Sequence, residues 1–143
     1  MGSRVLLALL ATLLAGNGLH MLVTPEHWYH SIESVAHTGA FNAHFVRDIG
    51  CAYLAAGVGL ALGAWRSSWL IPGSITALVF LGTHAALHVW ESLISQTAAA
   101  AHAGIIDAAG VYGPVVLTLF IVIVACRATP ATRSGNELRG GSQ

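Results

Sequence analysis

Four stretches almost empty of charge constrain this chain more than anything else in it. They cover residues 4–23, 44–65, 69–91 and 109–126, and each approaches the roughly 20 apolar residues an α-helix needs to cross a bilayer. A backbone in hydrocarbon must satisfy its own hydrogen bonds, which leaves helices or a closed barrel. Continuous apolar runs, without the alternation of a barrel strand, select helices. The pattern predicts an all-α fold: an integral membrane four-helix bundle over residues 1–126. Residues 127–143, rich in Gly, Ser, Thr and Arg, are expected to form a disordered tail.

Composition supports the same solvent. Only 8% of residues are charged, against about 25% in an ordinary soluble domain. Net charge is zero, lysine is absent, and no basic patch points to nucleic acid. The lipid bilayer is the first partner. Cys51 and Cys126 fall toward opposite faces of such a bundle, beyond the reach of a disulfide. Cys51 reads as a small buried hydrophobe, or as an outside candidate for a soft metal ligand.

Orientation follows from arginine. Arg4, Arg66, Arg127, Arg133 and Arg139 all fall on one side of a four-span chain, and the loops on the other side carry no Arg or Lys. The positive-inside rule then puts both termini in the cytoplasm. The first span opens like a secretory signal peptide, but its apolar run passes Gly18 without a clean Ala-x-Ala site, so it is expected to be retained.

Between the spans, residues 24–43 read as an ordered external loop, with a short helix starting at Thr24-Pro25-Glu26 and a turn at Thr38-Gly39. Arg66 to Ser68 is a turn short enough to make the second and third spans antiparallel neighbours. Residues 92–108 form a second loop, holding His102 and Asp107. Gly59-x-x-x-Gly63 allows a neighbouring helix to approach closely. Trp28, Trp65, Trp69 and Trp90 lie near span boundaries, where indole anchors at the interface.

The candidate chemistry lies at the end away from the arginines. His84, His88 and Glu91 follow at offsets of four and three, so they share one helix face. His44, Asp48 and Cys51 repeat that spacing at the start of the second span, and His20 closes the first. By helical rise these positions lie within about 10 Å of one membrane boundary. All eight histidines fall on this side. His27, His30, His37 and His102 belong to loops, where they cap the site or are simply solvated.

Three readings compete. Imidazoles and carboxylates suit iron, copper or zinc, with His84, His88, His44, Asp48 and Glu91 as ligands. In that reading the chain is a metal-dependent membrane oxidoreductase, or a metal-binding subunit of one. Glu91 and Asp48 are then its proton-transfer groups, and Arg47 orients Asp48 or an anionic substrate. Haem, held by His20 or His44 opposite His84 or His88, is the second reading; no Cys-x-x-Cys-His attachment motif is present. The third is structural: histidine sits comfortably near headgroups, and Asp48 pairs with Arg47 or a histidine. Other classes remain open. They are a binding or transport module for a metal ion or lipophilic small molecule, an accessory subunit docked on a larger membrane enzyme through the Gly59/Gly63 face, and a metal-free acid–base enzyme acting on a lipid.

The block His44-Phe-Val-Arg-Asp-Ile-Gly50, the preceding Thr-Gly-Ala-Phe-Asn and the later His-Ala-Ala-Leu-His-Val-Trp-Glu resemble small bacterial four-helix membrane proteins of DoxX-like build. The likeness spans roughly His20 to Glu91. It implies a bacterial inner-membrane protein with four helices and assigns no catalytic residue. DoxX itself is linked to quinone-coupled sulfur oxidation, but the likeness to it is one of architecture.

Overall fold

The computed structural model describes residues 2–36, 39–94 and 108–128. His37, Thr38, most of the second loop with His102 and Asp107, and the tail after Ala128 lie outside the described residues. The elements are α1 (Gly2–Val23), α2 (Pro25–Ser31), α3 (Glu33–Ala36), α4 (Ala43–Trp65), a 3-10 turn (Ser67–Trp69), α5 (Leu70–Ile94), a π-helical turn (Ala108–Tyr112) and α6 (Gly113–Ala128). No strand occurs among the described residues, and the architecture is an all-α four-helix bundle. Its four long elements, Gly2–Val23, Ala43–Trp65, Ser67–Ile94 and Ala108–Arg127, are long and apolar enough to cross a membrane. The third runs three residues past its expected end, carrying Ser92 and Leu93 on to Ile94.

Local chemistry sets the ends. Asn42 has an extended backbone, and its side-chain oxygen accepts from the amides of His44 and Phe45 at 3.0 and 3.2 Å, capping α4. Pro25 opens α2, where its missing N–H costs nothing. Arg66, again extended, ends α4 while its amide still donates to the Leu62 carbonyl at 2.9 Å. The 3-10 turn then sends α5 back alongside α4. Arg4 donates to Ser67 Oγ, so α1 begins beside this turn and Arg4 and Arg66 share one end of the bundle.

Glycine sets how close the helices come. A Cβ on Gly73 of α5 would lie 2.1 Å from the Gly59 carbonyl oxygen, and one on Gly18 of α1 would lie 2.6 Å from that of Gly50. Those are backbone-to-backbone approaches that no side chain tolerates. Gly59 and Gly63 are both buried, against Gly73 and Leu70 of α5. The expected partner-docking face is therefore covered from within the chain, and the short Arg66 turn is the reason: it delivers α5 onto it.

The core is a seam of Leu7, Leu10, Leu14, Met21, Leu60, Leu81 and Ile121. Equally large side chains, among them Leu13, Val23, Val79, Trp90 and Leu93, face outward along all the long helices. A bundle in water would show its polar residues there. Hydrocarbon is the solvent this surface fits.

Candidate functional site

The histidine-bearing end is assembled from α1, α2, α4 and α5. α2 folds back on α1 because Trp28 Nε1 donates to Asn17 Oδ1 at 2.8 Å. Trp28 is thus a half-buried tether rather than a simple interfacial anchor. Trp65, Trp69 and Trp90 are exposed, as anchors would be. Tyr29 is buried, with its hydroxyl in reach of the carbonyls of Ala36 and Gly39 and its ring against Phe41.

This fold-back pairs His20 with a histidine that spacing alone did not connect to it. His20 Nε2 lies 3.0 Å from Nδ1 of His27, with ring centroids 5.2 Å apart. One neutral ring donates and the other accepts. The available signal was the helix break at Thr24-Pro25, which turns His27 back toward the last turn of α1.

On α5 the expected stripe forms in part. His84 and His88 are half-buried, with ring centroids 4.7 Å apart at 76°. Phe80 stacks on His84 (5.5 Å, 15°), and Tyr53 of α4 meets His84 edge-on at 6.0 Å. Tyr53 was not singled out in the sequence: a lone tyrosine in an apolar span carries no local signal until a neighbour is known. Glu91 is exposed on the following turn.

On α4 the expected stripe turns away. His44 and Asp48 are 88% and 61% exposed, and they face each other, Nε2 to Oδ2, at 3.5 Å. Cys51, expected to be buried, is exposed, and both cysteines are free thiols. The cause is helix phase. His44, Asp48 and Cys51 each stand two residues before the buried stripe Val46, Gly50 and Tyr53, and two residues turn about 200° around a helix. Arg47 does not hold Asp48: its Nε donates to the Leu22 carbonyl at 3.3 Å, at the α1 C-terminus, where a cation is favoured.

The candidate residues are thus sorted into pairs: His84 with His88, His20 with His27, His44 with Asp48. Among the described residues no three His, Cys, Asp or Glu side chains come together closely enough to hold a metal ion. The expected five-ligand convergence of His84, His88, Glu91, His44 and Asp48 is not formed by them. What the arrangement offers is two imidazole pairs and one imidazole–carboxylate pair. Of the three pairs, only His84–His88 has both members half-buried, beside a phenol and a phenyl ring.

Comparison with protein-family models, with curated proteins and with solved structures gave no match to this chain.

Proposed function

We propose that the chain is a metal-binding membrane protein of redox type, either an oxidoreductase or the metal-holding subunit of one, with His84 and His88 as its protein ligands. The observation that carries this reading is the half-buried His84–His88 pair, its rings 4.7 Å apart on one face of α5. Two histidines one helical turn apart are the standard chelating pair of helical metal sites. Ionisable or ligating groups inside a membrane segment point by default to function. Copper, iron and zinc all accept imidazole. The ion would activate oxygen or water, or polarise a carbonyl.

Residues of this chain take narrower roles than the sequence alone suggested. Phe80 stacks on one face of the His84 ring, and Tyr53 meets it edge-on; together they fix its plane. Glu91 is the nearest carboxylate along α5 and serves as proton-transfer base at the exposed rim. His44, Asp48 and Arg47 act outside the ligand set. We place both termini in the cytoplasm of a bacterial inner membrane, with the histidine-bearing end outside, because Arg4, Arg66 and Arg127 lie at the opposite end and Arg133 and Arg139 follow Arg127 in the chain.

A second reading is favoured by one observation, the two-ligand limit among the described residues. Catalytic zinc sites ordinarily take three protein ligands. If a partner enzyme supplies the remainder, the chain is a non-catalytic accessory or delivery subunit.

The test is elemental analysis with a visible spectrum, on protein purified in mild detergent without a histidine tag. The expected result is about one transition-metal ion per chain, lost in His84→Ala and His88→Ala and retained in His44→Ala. Metal found only in complex with a second protein supports the accessory reading. A Soret band replaces the ion with haem. Metal content indifferent to both α5 histidines overturns the assignment.

A further inference from the structure

A groove of about 770 Å³ runs between α1 and α4. Its floor is made of small residues, among them Ala8, Ala15, Gly16, Gly57 and Ala61. It extends along α1 from Arg4 to Leu19, a helical distance of about 22 Å. One leaflet of hydrocarbon is roughly 15 Å deep, so the groove is long enough for a whole acyl chain laid lengthwise. Among the described residues, no helix fills it.

Its two ends differ. At one end stand Arg4 and Trp65, with the Arg66 guanidinium stacked 4.6 Å above the Trp65 ring. Arg4 is held in place by Ser67, and a guanidinium has five N–H donors, so most of its donors remain for a phosphate. The described acids, Glu26, Glu33, Asp48 and Glu91, all belong to the opposite end of the bundle. The mouth is therefore cationic and the body apolar, the polarity of a phospholipid.

We propose that this groove holds one acyl chain of a single anionic phospholipid, with its phosphate at Arg4 and Arg66. Anionic headgroups are selected because two arginines with no described acid beside them repel the ammonium group of a zwitterionic lipid. A second copy of the chain fits less well. A two-fold axis along the membrane normal is the symmetric way to pair two α1 helices, and it would bring the two Arg4 guanidiniums together at one end. The inference does not depend on the metal reading, since the groove and the histidine pairs occupy different parts of the bundle.

The experiment is native mass spectrometry of the full chain released from nanodiscs containing equal phosphatidylglycerol and phosphatidylcholine with matched acyl chains. One retained phospholipid per chain is expected, with phosphatidylglycerol enriched about fivefold for each arginine at the mouth. Arg4→Gln should lower that enrichment by about the same factor. Gly16→Leu combined with Ala61→Leu should abolish retention of either lipid, while Gly82→Leu on α5 should leave it unchanged. A Cβ at Gly16 or Gly82 meets nothing within 4 Å and Ala61 is exposed; an unchanged thermal midpoint of each variant checks that the bundle itself is intact. Equal retention of the two headgroups by the unaltered chain overturns the proposal, as does retention that survives the filled groove. Dimers that disappear when the groove is filled assign it to a second copy instead.

Discussion

The two ends of this bundle share close glycine packing and differ in the side chains that surround it. Toward the arginine-bearing end, helices meet backbone to backbone, Gly59 against Gly73, with Leu7 and Leu60 fully buried around them. At the histidine-bearing end, the close approach of Gly18 to Gly50 is joined by side-chain contacts: Trp28 to Asn17, Arg47 to the Leu22 carbonyl, Tyr53 to His84. The first arrangement is apolar at the crossing, with the Ser74 hydroxyl buried beside it and Arg4 and Arg66 at its rim. The second leaves imidazoles in pairs, partly buried and close to water. The difference lies along the bundle axis: mainly apolar packing toward one end, and imidazole-bearing side chains added to such packing at the other.

Substitutions should separate the two. The largest effect is expected from Gly73→Leu, whose Cβ would sit 2.1 Å from a carbonyl oxygen that belongs to rigid backbone. It should destabilise by about 3 kcal/mol or more, at or beyond the upper end for overpacked cores, and appear as aggregation or a large fall in melting temperature in detergent. A well-folded Gly73→Leu protein would show that the α4–α5 crossing is not what holds the bundle. Asn42→Ala should come next, with a loss of about 1 kcal/mol from the uncapped α4, measured as a lower thermal midpoint. Trp28→Phe removes one hydrogen bond, worth about 1 kcal/mol or slightly less, and should loosen α2 first. Faster hydrogen exchange confined to residues 25–31 would show it. The smallest effect belongs to Asp48→Asn. Its partner His44 is 88% exposed, and an exposed pair of this kind contributes under about 1 kcal/mol. Stability and metal content should both stay at wild-type levels; a large loss of metal would return His44 and Asp48 to the site.

Much of the fold was legible because hydrophobic length is a coarse and robust signal. Each long helix lies within a few residues of the apolar run that announces it, and the Arg66 turn fixed the pairing of α4 with α5. Helix phase was harder to read. α4 has small residues around most of its circumference, including Gly57, Gly59, Ala55, Ala56 and Ala61, so hydrophobicity does not mark which side faces the bundle. That ambiguity is why His44 and Asp48 were expected beside His84 and His88 and are found facing outward. Burial of Val46, Gly50 and Tyr53 resolves it. Contacts across loops were illegible for a different reason: His20–His27 and Trp28–Asn17 depend on the angle at Thr24-Pro25, which local spacing does not encode. Asn42, not singled out in the sequence, has a residue type and a place before an apolar run that fit the cap it forms.

X-ray absorption spectroscopy of the metal-loaded protein bears most directly on the assignment of His84 and His88. The spectrum should show two imidazole ligands, recognisable by ring multiple scattering, with metal–nitrogen distances of about 2.0–2.1 Å if the ion is zinc. One of the two should vanish in His88→Ala, and neither in His44→Ala. A shell dominated by carboxylate oxygen or thiolate sulfur, or an imidazole count that His88→Ala leaves unchanged, would contradict a site built on the α5 pair.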